Sequence, residues 1–369
     1  MQTETLDMPQ PQENADEAFL ERAGDIINSG AQAVMISIGH RTGLFDKMAE
    51  RPRWTSAELA DAAGLAERYV REWLAAMVTA EIVSYQPDRK NYHLPDAHAA
   101  CLTREGRLGN IAVYAQMIPL MGAVQDPILR CFETGEGLNY DDYPCFHQFM
   151  EEDSTQTVVG PLFEILLPLV AGLETRLRAG IDVLDAGCGR GKALVAMAAR
   201  FPGSQFTGYD LGANAIDDAK RAAREAGLRN IQFEVRDLTG FDERERYDFV
   251  TSFDAVHDQK DPQGLLMALH RALRPGGFYL MQDVGGSANL EKNMDFPMAS
   301  LLYAISCTHC TPVSIGQGGA GLGTMWGWET AEAMLRMAGF DAITRHVLPH
   351  DPMNVWFVSE KASARRSDT

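Results

Sequence analysis

The chain has 369 residues and a formal net charge of −18, which at roughly 150 residues per domain describes two domains. Hydrophobic residues at 46% and charged residues at 23% fit a globular chain rather than a disordered one. The acidic balance excludes a broad electrostatic footprint for nucleic acid and argues against docking on an anionic membrane. Six cysteines are too few and too scattered for a disulfide framework. The longest apolar runs, such as residues 165–171, fall well short of the roughly 18 residues a spanning helix needs. Met1 to Asp16 carries no basic region ahead of an apolar stretch, so no secretory leader is expected and a cytoplasmic location is.

In chain order, residues 1–17 are expected as a disordered tail, rich in Gln, Glu, Pro and Asp. Residues 18–110 read as short helices followed by a hairpin. Phe19, Ala23, Ile26, Ile27, Ala31, Val34 and Ile38 fit one helical face. Thr55 with Glu58 three residues on is a capping-box pattern, and Gly64 makes a turn before a second helix from about Glu67 to Ala80. Ile82–Tyr85 and Tyr92–Leu94, around a turn at 86–91, read as a two-stranded wing. Helix-turn-helix plus wing is a DNA-binding shape. Residues 1–120, however, carry 11 Lys and Arg against 17 Asp and Glu, with no surplus to offset phosphate charge. Homodimerisation is therefore the expected role, and no nucleic-acid or membrane partner is expected. Residues 111–178 hold apolar patterns broken by five prolines and cluster Tyr140, Tyr143, Phe146, His147 and Phe149; a helical linker that caps an active site is expected, with Tyr143 and His147 on the substrate side.

Residues 179–362 alternate strand and helix, the pattern of a parallel α/β sheet. Seven strands are expected near 181–185, 205–210, 231–236, 247–253, 277–283, 340–347 and 354–359. The first runs into Asp185-Ala186-Gly187-Cys188-Gly189-Arg190-Gly191, a glycine turn that lets backbone approach a ligand closely. The acidic Asp185 at the strand end repels phosphate and suits a ligand with an ammonium group. The second strand ends in Asp210, where a carboxylate can accept from ribose hydroxyls, and the third in Asp237-Leu238, placed beside an adenine.

Together these motifs resemble the class I S-adenosylmethionine-dependent methyltransferases over about 180 residues. The resemblance implies a Rossmann-like seven-stranded sheet behind a mainly helical winged-helix domain. It implies S-adenosylmethionine as cofactor, leaving as S-adenosylhomocysteine. By the same resemblance Asp185, Gly187, Gly189 and Gly191 hold the methionine part, Asp210 the ribose, Asp237 and Leu238 the adenine and Phe253 the sulfonium side, with Leu211 and Asp254 also on the cofactor side.

Phe253-Asp254-Ala255-Val256-His257-Asp258 follows the fourth strand and is similar to the small-molecule O-methyltransferases, which place a catalytic His-Asp pair there. His257 is the expected base, because an ordinary histidine can take a proton at neutral pH, with Asp258 beside it; Gln259 departs from the aromatic residue usual at that point. A closer resemblance, to bacterial winged-helix methyltransferases, adds His309-Cys310 and the Gly318–Gly327 stretch with Trp326. His309 is expected to orient the acceptor, Trp326 to line its site, and the glycine-rich 312–327 stretch to hold backbone close to another group or hinge. Cys307-Thr308-His309-Cys310 offers metal-ligand types, but without a second Cys pair no metal is expected. The acceptor is expected to be a small molecule, a thiol or sulfide or a hydroxyl. The alternative function is a cofactor-responsive regulator that binds DNA through the winged helix.

Overall fold

The computed structural model describes residues 13–144 and 146–363, with Glu13, Asn14 and His147 described as backbone only. The chain divides into two compact units, 1–119 and 120–369, later than the boundary at 110 expected from sequence.

The first unit opens with a 29-residue helix, Glu13–Arg41. It begins inside the stretch expected as tail; residues 1–12 lie outside the described residues. Its last turns are buried against the rest of the unit. The Trp73 indole donates to Met35 O at 2.9 Å, and a Cβ on Gly39 would sit 2.5 Å from the Trp73 ring and 2.7 Å from Phe45. Leu44, Phe45, Met48, Leu59, Val70, Trp73, Leu74 and Met77 form the core. The capping box forms as the sequence suggests, with Glu58 N donating to Thr55 Oγ1 and Glu58 accepting from Thr55 N. The wing is the antiparallel pair β1 (Ser84–Gln86) and β2 (Asn91–His93). On the helix Glu67–Thr79, the place of a recognition helix, Arg68 pairs with Glu72 and Arg71 with Glu67. Its arginines are thus already neutralised along the helix, and the regulator alternative is not favoured.

The second unit is built on a seven-stranded sheet: β3 (Asp182–Ala186), β4 (Gln205–Asp210), β5 (Ile231–Val235), β6 (Tyr247–Phe253), β7 (Leu273–Val284), β8 (Ala342–Leu348) and β9 (Asp351–Glu360), in the order β5-β4-β3-β6-β7-β9-β8. Adjacent residues of the central strands face opposite cores, as strand geometry requires. Val183, Phe206, Phe249, Leu280 and Trp356 face one core, closed by the helices Leu173–Ala179, Lys192–Arg200 and Ala213–Glu225. Leu184, Tyr209, Val250, Met281 and Phe357 face the other, closed by Pro262–Ala272 and Trp328–Met337. Burial on both faces explains why these strands read as continuous apolar runs. The expectation of a parallel sheet holds for β3–β7 but not for β9, which is antiparallel to both neighbours. Only Pro349 and His350 separate β8 from β9, a hairpin length that leaves no room for a crossover helix.

Candidate active site

The crevice where the strand order reverses, beside β3, is where an open α/β sheet binds ligands. Gly187, Gly189 and Gly191 all adopt positive φ, at +81°, +52° and +70°. A Cβ on Gly187 would fall 2.6 Å from Ala255 Cβ, whereas one on Gly189 would meet nothing within 4 Å. The loop therefore lies against the segment that carries His257 and keeps an open backbone face at Gly189. Asp185, at the end of β3, is 2% exposed and accepts from Thr251 Oγ1 at 2.7 Å. Burial pushes its pKa up to about 7, with the Thr251 hydrogen bond opposing and the Asp210 charge adding. A buried carboxylate without a cation is what a ligand ammonium would relieve.

Asp210 ties the loop to the next strand: Gly189 N donates to Oδ2 at 2.8 Å and Gly212 N to Oδ1 at 2.7 Å. Each oxygen keeps a lone pair for a ligand. The other residues expected on the cofactor side are less convergent. Leu211 is 50% exposed. Asp237 is exposed and caps its own turn, accepting from Thr239 N at 2.7 Å. Leu238, expected beside an adenine, turns its side chain into the core with Tyr209 and Phe241, so only its backbone is left to face a ligand. Phe253 packs near Trp356, 6.0 Å between ring centroids. Asp254 is half-buried with φ of +51°, a strained conformation of the kind kept at functional sites; burial pushes its pKa up to about 7, the His257 charge opposing.

His257 is the hub. Its Nδ1–H donates to Asp283 Oδ1 at 2.9 Å, and Nε2 faces Cys310 Sγ at 3.4 Å and Asp258 Oδ1 at 3.1 Å. Trp326 Nε1 donates to the same Asp283 oxygen at 2.9 Å, which fixes the carboxylate and hence the ring. Burial disfavours a charged ring, yet Asp283 and Asp258 outweigh it and hold the pKa well above the ordinary value. The expectation of an unperturbed histidine is thus corrected: the two carboxylates make the ring a stronger base than an ordinary imidazole. Asp258 responds in the opposite sense, the His257 charge overriding burial to hold its carboxyl well below the usual range.

Asp283 was not legible as a site residue. Its signal was an acidic residue at the carboxyl end of β7, on the edge where this fold places its ligands. Cys310 touches Nε2, and burial pushes its thiol up to about 12.

A proline shapes the segment expected on the acceptor side. Pro312 has no amide to donate to Thr308 O, the partner four residues back, and Ser306–Cys310 winds as one wide π-turn ahead of it. The freed Thr308 carbonyl accepts from the Tyr143 hydroxyl at 2.7 Å. His309, 1% exposed, stacks on Phe146 with centroids 3.9 Å apart and meets Tyr143 edge-on at 4.5 Å. Tyr140 lies 5.9 Å away and donates to Asp258 Oδ2 at 3.1 Å. Tyr143, His309 and Trp326, expected on the acceptor side, are thus drawn around His257 through Thr308, Cys310 and Asp283. His147 falls on the same helix as Phe146, but its side chain lies outside the described residues.

Comparison with known proteins agrees with this architecture. A family profile described as an Rv2258c-like winged HTH domain matches residues 30–104, and one described as a methyltransferase domain matches residues 177–339. Among curated relatives, a ubiquinone biosynthesis O-methyltransferase of Leptothrix cholodnii is 31% identical over 107 residues, 28% of this chain and 45% of that protein. A fatty-acid O-methyltransferase of Mycolicibacterium smegmatis is 33% identical over 104 residues, 28% of this chain and 37% of that protein. The chain thus spans about half or less of the length of the curated relatives it matches. A putative O-methyltransferase structure from Nostoc punctiforme superposes with a TM-score of 0.68 at 19% identity, covering 96% of this chain and 99% of that one. Human N-acetylserotonin methyltransferase in complex with S-adenosylmethionine superposes with a TM-score of 0.66 at 16% identity, covering 97% and 100%. At such identities the structures speak to fold alone. The two profiles and the strand order agree that residues 30–104 form a winged-helix domain and residues 177–339 a methyltransferase domain on a Rossmann-like sheet.

Proposed function

We propose that the protein binds S-adenosylmethionine and transfers its methyl group to an oxygen of a small flat or aromatic acceptor. The observation that carries this reading is the contact of Gly187 with Ala255, which sets the glycine loop and the His257 segment on one crevice. The residues fit the cofactor. Buried Asp185, with its pKa pushed up to about 7, suits the ammonium; the open face at Gly189 takes the carboxylate end; Asp210 takes the ribose. The cofactor supplies an electrophilic methyl on a sulfonium, so the protein need only align the acceptor and take its proton. His257 takes that proton. Asp283 on Nδ1 raises its basicity, Trp326 holds Asp283, and Asp258 and the Cys310 thiol occupy the Nε2 side that an acceptor hydroxyl would enter. Tyr140, Tyr143, Phe146 and His309 form an aromatic wall against which a ring can stack.

Release of S-adenosylhomocysteine across phenols, carboxylates and thiols tests the acceptor class: oxygen acceptors on a flat body should turn over, and turnover of thiols alone would overturn the oxygen assignment. Cofactor affinity should fall as pH drops below about 7, by about tenfold per unit, since ammonium binding needs Asp185 ionised. The same shift has the opposite sign for folding. A carboxyl whose folded pKa is raised stabilises the ligand-free fold at low pH, and that contribution is lost as pH rises through about 7. Calorimetric titrations at pH 6 and 8 separate the two, and a flat affinity profile would remove Asp185 from the cofactor site.

The first unit is proposed to pair with a second copy. Phe19, Leu20, Ile26 and Ile27 are 72%, 74%, 55% and 75% exposed on the opening helix, an apolar surface that an isolated chain would not leave in water. Ile27→Asp should convert dimer to monomer in sedimentation; a dimer unchanged by that substitution would move the interface elsewhere.

A further inference from the structure

The three groups that meet at His257 Nε2 have a second arrangement open to them. We infer that His257 Nε2, Asp258 Oδ1 and Cys310 Sγ form a three-ligand site for a soft divalent cation, Zn2+ being the type, which competes with the acceptor's proton for Nε2. The donor atoms lie within 4.8 Å of one another and all three residues are buried. Zinc at its usual bond lengths holds tetrahedral ligands about 3.3 Å apart for nitrogen and oxygen and about 3.6 Å for nitrogen and sulfur. The observed separations are 3.1 Å for Nε2 to Asp258 Oδ1 and 3.4 Å for Nε2 to Cys310 Sγ.

The surroundings match as well. Each ligand is held from behind by another group, leaving its near atom aimed at one point. Asp283 accepts from Nδ1 at 2.9 Å, the carboxylate–histidine arrangement found behind metal-bound imidazoles. Tyr140 donates to the far Asp258 oxygen at 3.1 Å. The near oxygen, Oδ1, is buried and makes no aligned hydrogen bond. Thr324 Oγ1 donates to Cys310 Sγ at 2.9 Å, a bond that a metal-bound thiolate would keep. Histidine, carboxylate and thiolate are a donor set for zinc rather than for magnesium or calcium. Binding expels the thiol proton and any proton on Nε2 to the buffer, and the fourth position is left to water or an acceptor.

The site stands on this geometry alone; only its consequence, silencing of the enzyme, rests on His257 acting as the base. Metal-free full-length protein titrated with Co2+ should take up one ion per chain, with the visible bands of tetrahedral cobalt and a near-ultraviolet thiolate charge-transfer band. Cys310→Ser should lose the charge-transfer band and weaken Zn2+ binding by about 100-fold or more, while the exposed Cys307 replaced by serine should change neither. Melting profiles of both variants close to wild type keep the comparison valid, and Thr324→Val should weaken binding by about tenfold or more if Cys310→Ser fails to fold. An octahedral spectrum without the thiolate band, or a band that survives Cys310→Ser, would overturn the site. If the band appears and stoichiometric Zn2+ leaves turnover intact, the site stands and the assignment of His257 as base falls instead.

Discussion

Replacing His257 with alanine is expected to lower turnover by about 10²–10⁴-fold, the range that a positioned general base contributes, with the cofactor dissociation constant essentially unmoved. The separation of the two effects follows from placement. His257 contacts Asp283, Asp258 and Cys310, while the groups proposed to hold the cofactor are Asp185, the glycine loop and Asp210. Asp283→Asn should reproduce part of the loss. It removes the charge that raises the basicity of the ring, yet an amide oxygen can still accept from Nδ1, and Trp326 still has a partner. Single-turnover rates measured beside calorimetric binding check both. Undiminished turnover in His257→Ala would place the base elsewhere, with His309 the next group to examine.

Asp210→Ala is expected to weaken cofactor binding by at least about 100-fold. The carboxylate accepts two backbone amides, Gly189 N and Gly212 N. Hydrogen bonds to a charged group contribute roughly 1.5–3 kcal/mol each. Its removal frees a loop whose three glycines, Gly187, Gly189 and Gly191, all sit at positive φ and have many alternatives to fall into. The loss therefore has two sources, the missing contact to ribose and the cost of reordering the loop. Asp210→Asn retains an acceptor and should lie between the two. Calorimetry with S-adenosylhomocysteine reads the effect, and unchanged affinity in Asp210→Ala would remove this residue from the cofactor site.

What the sequence made legible was local or periodic. The central strands of the second unit could be placed because burial on both faces turns them into apolar runs, and the capping box at Thr55 because its two partners are three residues apart. The reversal of β9 was missed because apolar runs carry no direction; the two-residue link at Pro349 and His350 was the available clue. Asp283 was missed because its partners, His257 and Trp326, lie 26 and 43 residues away in the chain. The basicity of His257 could not be read at all, since it depends on which carboxylates the fold brings to the two ring nitrogens. Likewise, the opening helix was seen as one apolar face, but sequence alone does not say that its first turns stay uncovered within the unit.

The carbonyl that Pro312 leaves without its helical partner has a consequence for how such an enzyme can diversify. Because the Tyr143 hydroxyl answers Thr308 O, and Thr308 sits in the same π-turn as His309 and Cys310, residues from two distant stretches of chain behave as one mechanical part. Under the proposed acceptor assignment, exchanging Tyr143 alone should not yield a new acceptor, since it removes the hydroxyl that Thr308 O accepts from and should loosen the turn that carries His309. Substitutions at 143, 308 and 312 should show strong epistasis, and new specificities should arise by replacing the group as a set.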